Sequence, residues 1–564
     1  MNGENKSMKK FKLAILGDKS MQFISKEIAR IGPQFGFDFE LYNADFDQID
    51  QTIKNPYSGL YEFDPNGVFI FYTAESIQEK FFLTDLKKRQ YFFKFIIDEI
   101  LLINEEIKTR IPAAKVYISN LAEVSDGVYG NNSNKYPVSL LNNIRRINLG
   151  LSELSEKESN LFILDMALLQ STYGRNFLFD PRLYVAAELT LAGEGVEILA
   201  NQLLSLIKST DGGFKKCLIL DLDNTMWGGV IGDDGLEKIE IGFLGNGKAF
   251  TRLQSWAKEL QMRGILLAVC SKNDEEVAKE PFLKHPEMVL RLDDIAIFVA
   301  NWNDKASNIK FIQSILNIGF DSMVFIDDNS FERELVKREL PDVQVPDLPD
   351  DPTDYFDFLC NLNLFEPGKL SALDLDRTKM IQTEMERNNL KNKFSNESEF
   401  LKSIHMVGKI EKFNTFNTPR VAQLSERSNQ YNLRTIRYSE ADVYKIAQAK
   451  NQIGLTISLQ DTLGDHGLIA VIVLEKKDKI LFIENWFMSC RVLKRGVEFL
   501  AQNKIVECAI NLGCKTIIGQ YIPTSKNGLV KNHYLELGFS DLNDGKWALS
   551  VGEYDQKEHF IREE

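Results

Sequence analysis

Short apolar runs recur along this chain between polar, helix-forming stretches, and their spacing gives the first outline of a fold. Lys12–Leu16, Gly67–Tyr72, Lys115–Ser119 and Asn160–Leu164 read as strands, with helical stretches between them, notably Phe82–Leu102 and Gly193–Ile207. Strands alternating with helices predict a parallel sheet, here within residues 1–210. A second α/β unit is predicted over residues 211–375, with strands Cys217–Leu220, Ile265–Cys270, Ala296–Val299 and Met323–Ile326. The Asp- and Pro-rich stretch from Pro341 to Pro352 reads as a loop.

The pattern then changes. Residues 376–404 are polar and charged with helical character and read as a linker helix. In residues 405–564 the runs Gly454–Leu459, Gly467–Leu474 and Lys479–Trp486 follow one another as a meander. A helix is predicted from near Val492, then a strand Thr516–Tyr521 and a helix carrying Tyr534.

Composition narrows the classes of function. The 564 residues are 44% hydrophobic and 26% charged, ordinary globular values with ample chain for several cores. A net charge of −14 argues against nonspecific nucleic-acid binding, which draws on clustered Lys and Arg. The six cysteines (Cys217, Cys270, Cys360, Cys490, Cys508 and Cys514) contain no C-x-x-C pair. They predict neither a disulfide framework nor a zinc site and point to a reducing cytoplasm. The N-terminus lacks an apolar signal core, and no apolar run approaches the roughly 18 residues of a membrane span.

The chemistry concentrates where strands are predicted to end. Cys217-Leu-Ile-Leu220 runs into Asp221, with Asp223 two positions on, then Thr225 and the glycine-rich Trp227-Gly-Gly-Val-Ile-Gly232. A buried strand that stops at two carboxylates places both at a sheet edge, where ligands of α/β folds bind. Phosphoryl transfer through an aspartyl-phosphate needs such a pair, one to attack phosphorus and one to handle protons. Ser271 ends the strand Ile265–Cys270, and its hydroxyl and nearby N–H groups suit a phosphate oxygen. Lys305 precedes a helical run and suits the phosphoryl charge, and Met323–Ile326 ends in Asp327-Asp328. Hard oxygen ligands at a strand edge suit Mg²⁺. A lone D-x-D is more often a turn or a cap; the four elements in order are what carry the reading.

Together these residues resemble the four motifs of the haloacid-dehalogenase (HAD) superfamily. The resemblance makes Asp221 the nucleophile and Asp223 the general acid/base. It makes Ser271 and Lys305 the phosphate-binding pair, and Asp327 and Asp328 the acidic motif at the metal. It also gives the metal the Asp221 carboxylate and the main-chain carbonyl of Asp223. Only a hairpin flap and a helix fit between Asn224 and Gly264, so an open site is expected.

Leu220-Asp-Leu-Asp-Asn-Thr-Met-Trp-Gly-Gly-Val-Ile-Gly-Asp-Asp-Gly235 resembles the FkbH-like branch of subfamily IIIC. So do Gln423-Leu-Ser-Glu-Arg-Ser-Asn-Gln430, Gly464-Asp-His-Gly467 and Tyr521-Ile-Pro-Thr-Ser-Lys-Asn527. The resemblance implies an α/β chain of three domains: an SGNH/flavodoxin-like domain, a HAD Rossmann-like domain with minimal cap, and a GNAT-like α+β acyltransferase domain. Members of this branch in polyketide pathways take 1,3-bisphosphoglycerate, load a glyceryl unit on an acyl carrier protein and remove its phosphate. Others lie in surface-polysaccharide pathways, which leaves open a sugar-phosphate phosphatase joined to an aminosugar N-acyltransferase.

In the third domain, Arg491-Val-Leu-Lys-Arg-Gly496 falls where a diphosphate-binding loop for CoA or carrier-protein phosphopantetheine would lie, with Arg491, Arg495 and Gly496 as its candidates. Lys494 replaces the loop's first glycine, which weakens the case for ordinary CoA binding. Cys490 is the candidate acyl-accepting thiol, or else a small buried hydrophobe. His466 is its candidate base, or else a loop residue bonding backbone. Tyr534 resembles a GNAT proton donor, or else is core. In the first domain Gly17-Asp18-Lys19-Ser20 puts lysine where an SGNH hydrolase has serine, and no histidine precedes His285. A Ser-His esterase is therefore not expected there; a noncatalytic lid or carrier-docking module is, and carrier docking without catalysis also stays open for the third domain.

Overall fold

The computed structural model describes residues 8–564 except 46, 368–377, 379–380, 384–386, 388–393, 395, 429, 490–491 and 525–526. Nearly half of the expected linker helix, residues 376–404, thus lies outside the described residues; within it Glu397–Ser403 is helical, capped by the Asn396 side chain. The chain divides into two compact units, Met1–Thr378 and Lys379–Glu564.

The first unit contains two parallel sheets. One comprises β1 (Lys9–Gly17), β2 (Phe37–Asn43), β3 (Gly67–Phe71), β4 (Lys115–Ser119) and β5 (Leu161–Leu164) in the order β2-β1-β3-β4-β5. This is the flavodoxin-like, doubly wound order. Its apolar faces pack against separate clusters, one including Ile100 and Ile144, the other Leu199 and Leu203. Two sequence expectations change here. The single helix Phe82–Leu102 is two, Ala74–Leu83 and Phe92–Arg110, because the chain turns at Thr84-Asp85, where the Asp85 carboxylate accepts the Lys87 N–H (2.9 Å). The edge strand β2 went unread, although its Phe-Asp-Phe-Glu-Leu sequence alternates with period two.

The other sheet comprises β6 (Cys217–Leu220), β7 (Leu266–Ser271), β8 (Ile295–Ala300) and β9 (Met323–Ile326), ordered β8-β7-β6-β9. β6 is central and wholly buried, which is why it reads as an unbroken apolar run rather than an alternating one. Its register aligns Leu220 with Val269 on one side and Ile326 on the other, so the residues that follow all emerge at the same edge. The span 224–264 holds one antiparallel bridge, Gly228 with Glu240, a turn of helix Ile231–Asp234 and the helix Gly247–Met262. That is a flap and a helix rather than a cap domain.

The second unit contains an eight-stranded sheet. Its strands are β10 (Val407–Lys412), β11 (Gln452–Asp461), β12 (Gly464–Lys477), β13 (Ile480–Met488), β14 (Thr516–Gln520), β15 (Ser540–Asp541), β16 (Lys546–Ser550) and β17 (Arg562–Glu563). β11, β12 and β13 form the expected antiparallel meander. β13 and β14 pair in parallel only from Ile480–Phe482 to Thr516–Ile518 and then part. The fork is closed by the chain itself: Leu433 N–H donates to the Trp486 carbonyl (3.1 Å), and Ile522 N–H to that of Leu433 (2.9 Å). The helix expected near Val492 begins at Val497, because Gly496 has φ +85, a left-handed conformation that caps a helix but does not continue it. Among the described residues no helix is long and apolar enough to cross a membrane.

Leu220 is fully buried in β6 at the base of the carboxylate cluster. Leu220→Ala should cost about 2–5 kcal/mol, read as a lower urea midpoint for the transition that includes the β6–β9 sheet.

Candidate active site

Two short segments deliver carboxylates to one edge of the β8-β7-β6-β9 sheet, and a third delivers a lysine. Asp221 follows β6, and its N–H donates to the Ile326 carbonyl (3.1 Å), which locks it beside Asp327, the residue after β9. Asp328 follows, tied to Thr225: its N–H donates to Thr225 Oγ1 (3.1 Å), which itself reaches Asp328 Oδ1 (3.3 Å). One ligand oxygen from each of Asp221, Asp327 and Asp328 lies within 4.8 Å of the others. Lys305 enters from the first turn of the helix Lys305–Leu316, capped by Asp304. Its ammonium is 2.9 Å from Asp221 Oδ1 and also bonds Asp327 Oδ2. Lys305 is only 3% exposed and Asp327 is fully enclosed.

Three carboxylates against one ammonium leave an excess of negative charge in a buried site. Burial pushes the Asp221 carboxyl up to about 6 and raises Asp327 and Asp328 as well, while Lys305 works against the shift. Burial disfavours the Lys305 ammonium, but Asp221 and Asp327 outweigh it and hold its pKa above the ordinary lysine value. Convergent hard oxygens with surplus negative charge fit a divalent cation.

Asp223 faces away from this trio. Its Oδ1 accepts from Trp227 Nε1 and from the Ile231 N–H (both 3.0 Å), and Asn273 Nδ2 donates to its Oδ2 (2.8 Å). The turn that follows Asp223 depends on Asn224 at φ +52, whose side chain accepts the Gly229 N–H (3.0 Å). Asn273 also donates to Ser271 Oγ (3.3 Å), so one buried amide links Ser271 to Asp223. In the sequence Trp227 is only the start of a glycine-rich stretch, and Asn273 has no role read for it. Arg333 had no signal at all: its guanidinium binds the carbonyls of Asp327 (2.8 Å) and Asp328 (2.7 Å) from the following helix.

The other predicted positions fare differently. Cys490 and Arg491 lie outside the described residues. Arg495 is not free for a diphosphate; its guanidinium lies 3.2 Å from His466 Nε2 and 3.7 Å from Asp461. Gly496 does cap a helix, but the nearby Lys494 N–H is taken by the Glu498 carboxylate (3.1 Å), so the chain supplies its own anion there. His466 is held by Asp461 (3.0 Å). Tyr534 is buried against His533 and Phe539. In the first sheet Lys19 pairs with Glu188 (3.2 Å), Asp180 caps the helix Pro181–Ala187, and burial raises the Asp18 carboxyl to about 7.

The FkbH N-terminal domain family matches residues 12–208. The crystal structure of the N-terminal part of the protein BF1531 from Bacteroides fragilis, which contains a phosphatase domain complexed with Mg, is 44% identical to this chain with a TM-score of 0.62. The match covers 64% of this chain and 96% of that one. The chain belongs to the FkbH-like family. FkbH-like chains of this kind carry a HAD-type phosphatase domain, and the β8-β7-β6-β9 sheet with its carboxylate edge is that domain here. Among acetyltransferases, the ribosomal-protein-S18-alanine N-acetyltransferase of Escherichia coli is 13% identical with a TM-score of 0.21, over 27% of this chain and 99% of that one. The GNAT domain of S. lividans PAT is 14% identical with a TM-score of 0.21, over 25% and 89%. At such values neither bears on activity or substrate. No curated protein matches this FkbH-like chain.

Asp328→Asn removes one of the surplus charges and should raise the melting temperature of the metal-free chain while abolishing the upward shift that a divalent cation produces. A carboxyl raised in the fold loses stability as pH rises through its folded value. The gain should therefore be smallest in acid, where the Asp328 carboxyl is protonated, and grow as the pH rises. Differential scanning calorimetry over a series of pH values, with and without Mg²⁺, measures both effects.

Proposed function

We propose that this protein is a Mg²⁺-dependent phosphatase acting through an aspartyl-phosphate on Asp221, on a phosphorylated small molecule that it also helps transfer as an acyl group. The observation that carries the first part is the buried convergence of Asp221, Asp327 and Asp328 on Lys305, beside Ser271 at the end of β7. Asp221, Asp327 and Asp328, with the main-chain carbonyl of Asp223, would hold the Mg²⁺; a relative complexed with Mg supports the choice of metal. Bound there, Mg²⁺ would offset negative charge on the phosphoryl oxygens.

The chain's own residues divide the reaction between them. Asp221 attacks phosphorus in line, and the bond to the leaving oxygen breaks as Asp223 gives that oxygen a proton. Lys305 and Ser271 hold the phosphoryl oxygens. Asp223, now a base, takes a proton from water, which attacks the aspartyl-phosphate and frees phosphate and Asp221. Asn273, bonded to both Asp223 and Ser271, keeps the proton-transfer group in register with the phosphate site. A flap this short, in place of a cap domain, suits a large or carrier-bound substrate.

For the second unit we propose acyl transfer, with Cys490 as acyl-accepting thiol and phosphopantetheine of a carrier protein as the final acceptor. The Lys494 N–H already bound to Glu498 favours a carrier-borne arm, which has a single phosphodiester where CoA has a diphosphate.

Phosphate release measured across phosphate monoesters and acyl phosphates checks this reading. Asp221→Asn should abolish Mg²⁺-dependent turnover, and Asp223→Asn should lower it about 10²–10⁴-fold, with the fold intact by circular dichroism. Selective turnover of a phosphoglyceryl species supports carrier loading, preference for sugar phosphates favours the polysaccharide reading, and retained turnover in Asp221→Asn would rule the mechanism out.

A further inference from the structure

The hairpin joining β11 to β12 carries an irregularity that the phosphatase has no use for. Leu459 pairs with Gly467 and Gln460 with Asp465, so His466 is an extra, unpaired residue in β12. Such bulges re-aim a side chain and recur next to active sites. Here the imidazole is turned onto Asp461, its Nε2 3.0 Å from Oδ2 and its side chain 9% exposed.

Asp461 is itself fixed from every side. Arg387 grips it bidentately, Nε to Oδ2 and Nη2 to Oδ1, both 2.8 Å. The N–H groups of Leu463 (2.9 Å) and Gly464 (3.1 Å) donate to Oδ1. A carboxylate with this many donors is ionised: burial opposes its charge, but His466 and Arg387 outweigh burial and hold it below the usual carboxylate range. Nε2 cannot both donate to Asp461 and accept from the Arg495 guanidinium 3.2 Å away. Its proton goes to the carboxylate, the closer and anionic partner, and the lone pair is left on Nδ1. No described group hydrogen-bonds that atom.

We propose that the second unit carries its own reactive centre, in which Asp461, clamped by Arg387, positions His466 so that Nδ1 is the proton acceptor for a thiol ligand. The inference rests on the acyl-transfer reading and adds to it the positioning residue and the acting atom. A thiol gives its proton to Nδ1 as its sulfur attacks the carbonyl carbon of an acyl phosphate. The C–S bond forms, the C–O bond to phosphate breaks with its electron pair on that oxygen, and the proton on Nδ1 passes to the departing phosphate. Arg387 belongs to the stretch read from sequence as a linker, so that stretch contributes to this centre.

Two measurements on the full-length chain test the proposal. Nitrogen-15 NMR of labelled histidine, with His466→Gln to assign the signal, should show His466 as a neutral ring protonated on Nε2. The double variant Asp461→Asn/Arg387→Met, which removes both buried charges together, should lose that tautomer while keeping a cooperative melt. A wild-type ring protonated on Nδ1 overturns the proposal. Thioester formation from an acyl phosphate and pantetheine should fall about 100-fold or more in His466→Gln. Undiminished transfer in that variant overturns the base role and leaves acyl transfer standing. A wild-type chain that forms no thioester overturns the acyl-transfer reading and the base role with it, and the tautomer then tests the Asp461–His466 pairing by itself.

Discussion

A lysine ammonium buried between two aspartates, Lys305 with Asp221 and Asp327, is the contact on which the rest of the first unit's edge depends. Charges taken out of water cost several kcal/mol each unless they are paired. The pairing here is incomplete, since Asp328 adds a third carboxylate that has no ion pair of its own among the described residues. The site is therefore not at its stability optimum without a metal, and the fold must hold it against that tendency. It does so with four apolar parallel strands whose register fixes where each carboxylate emerges, and with Thr225 and Arg333 bound to the Asp327-Asp328 turn. A ground state with surplus negative charge is the arrangement a metal-assisted phosphoryl transfer needs.

Much of this edge was legible in the sequence because a central parallel strand announces itself. Cys217–Leu220 and Met323–Ile326 are buried on both faces, so they appear as continuous apolar runs ending abruptly in aspartates. Sequence order also located Ser271 and Lys305, since each sits at the end of a strand or the start of a helix. Asn273 and Arg333 were not legible in the same way, because their roles depend on which atoms a turn brings near. Asn273 reaches Asp223 across 50 positions of sequence, and Arg333 works through main-chain carbonyls, which leave no trace in residue type. The β2 edge strand was missed despite its alternation, and the break at Thr84-Asp85 was hidden by apolar residues on both sides.

The second unit shows the limit of motif reading more sharply. Arg495 and Gly496 fall where a diphosphate loop was expected, yet the guanidinium packs against His466 and Asp461, and Glu498 binds the Lys494 N–H. His466 is held in place by a bulge, a feature of strand register rather than composition. Asp461 and Arg387 lie 74 positions apart, and only the fold makes them a pair.

The account stands on Asp221 being the atom-donating nucleophile. Turnover quenched in acid and mapped by peptide mass spectrometry tests this most directly. With Mg²⁺ and a phosphorylated substrate, a phosphoryl adduct should appear on Asp221 in the wild type and vanish in Asp221→Asn. Steady phosphate release with no adduct at Asp221, or an adduct on another residue, would contradict it.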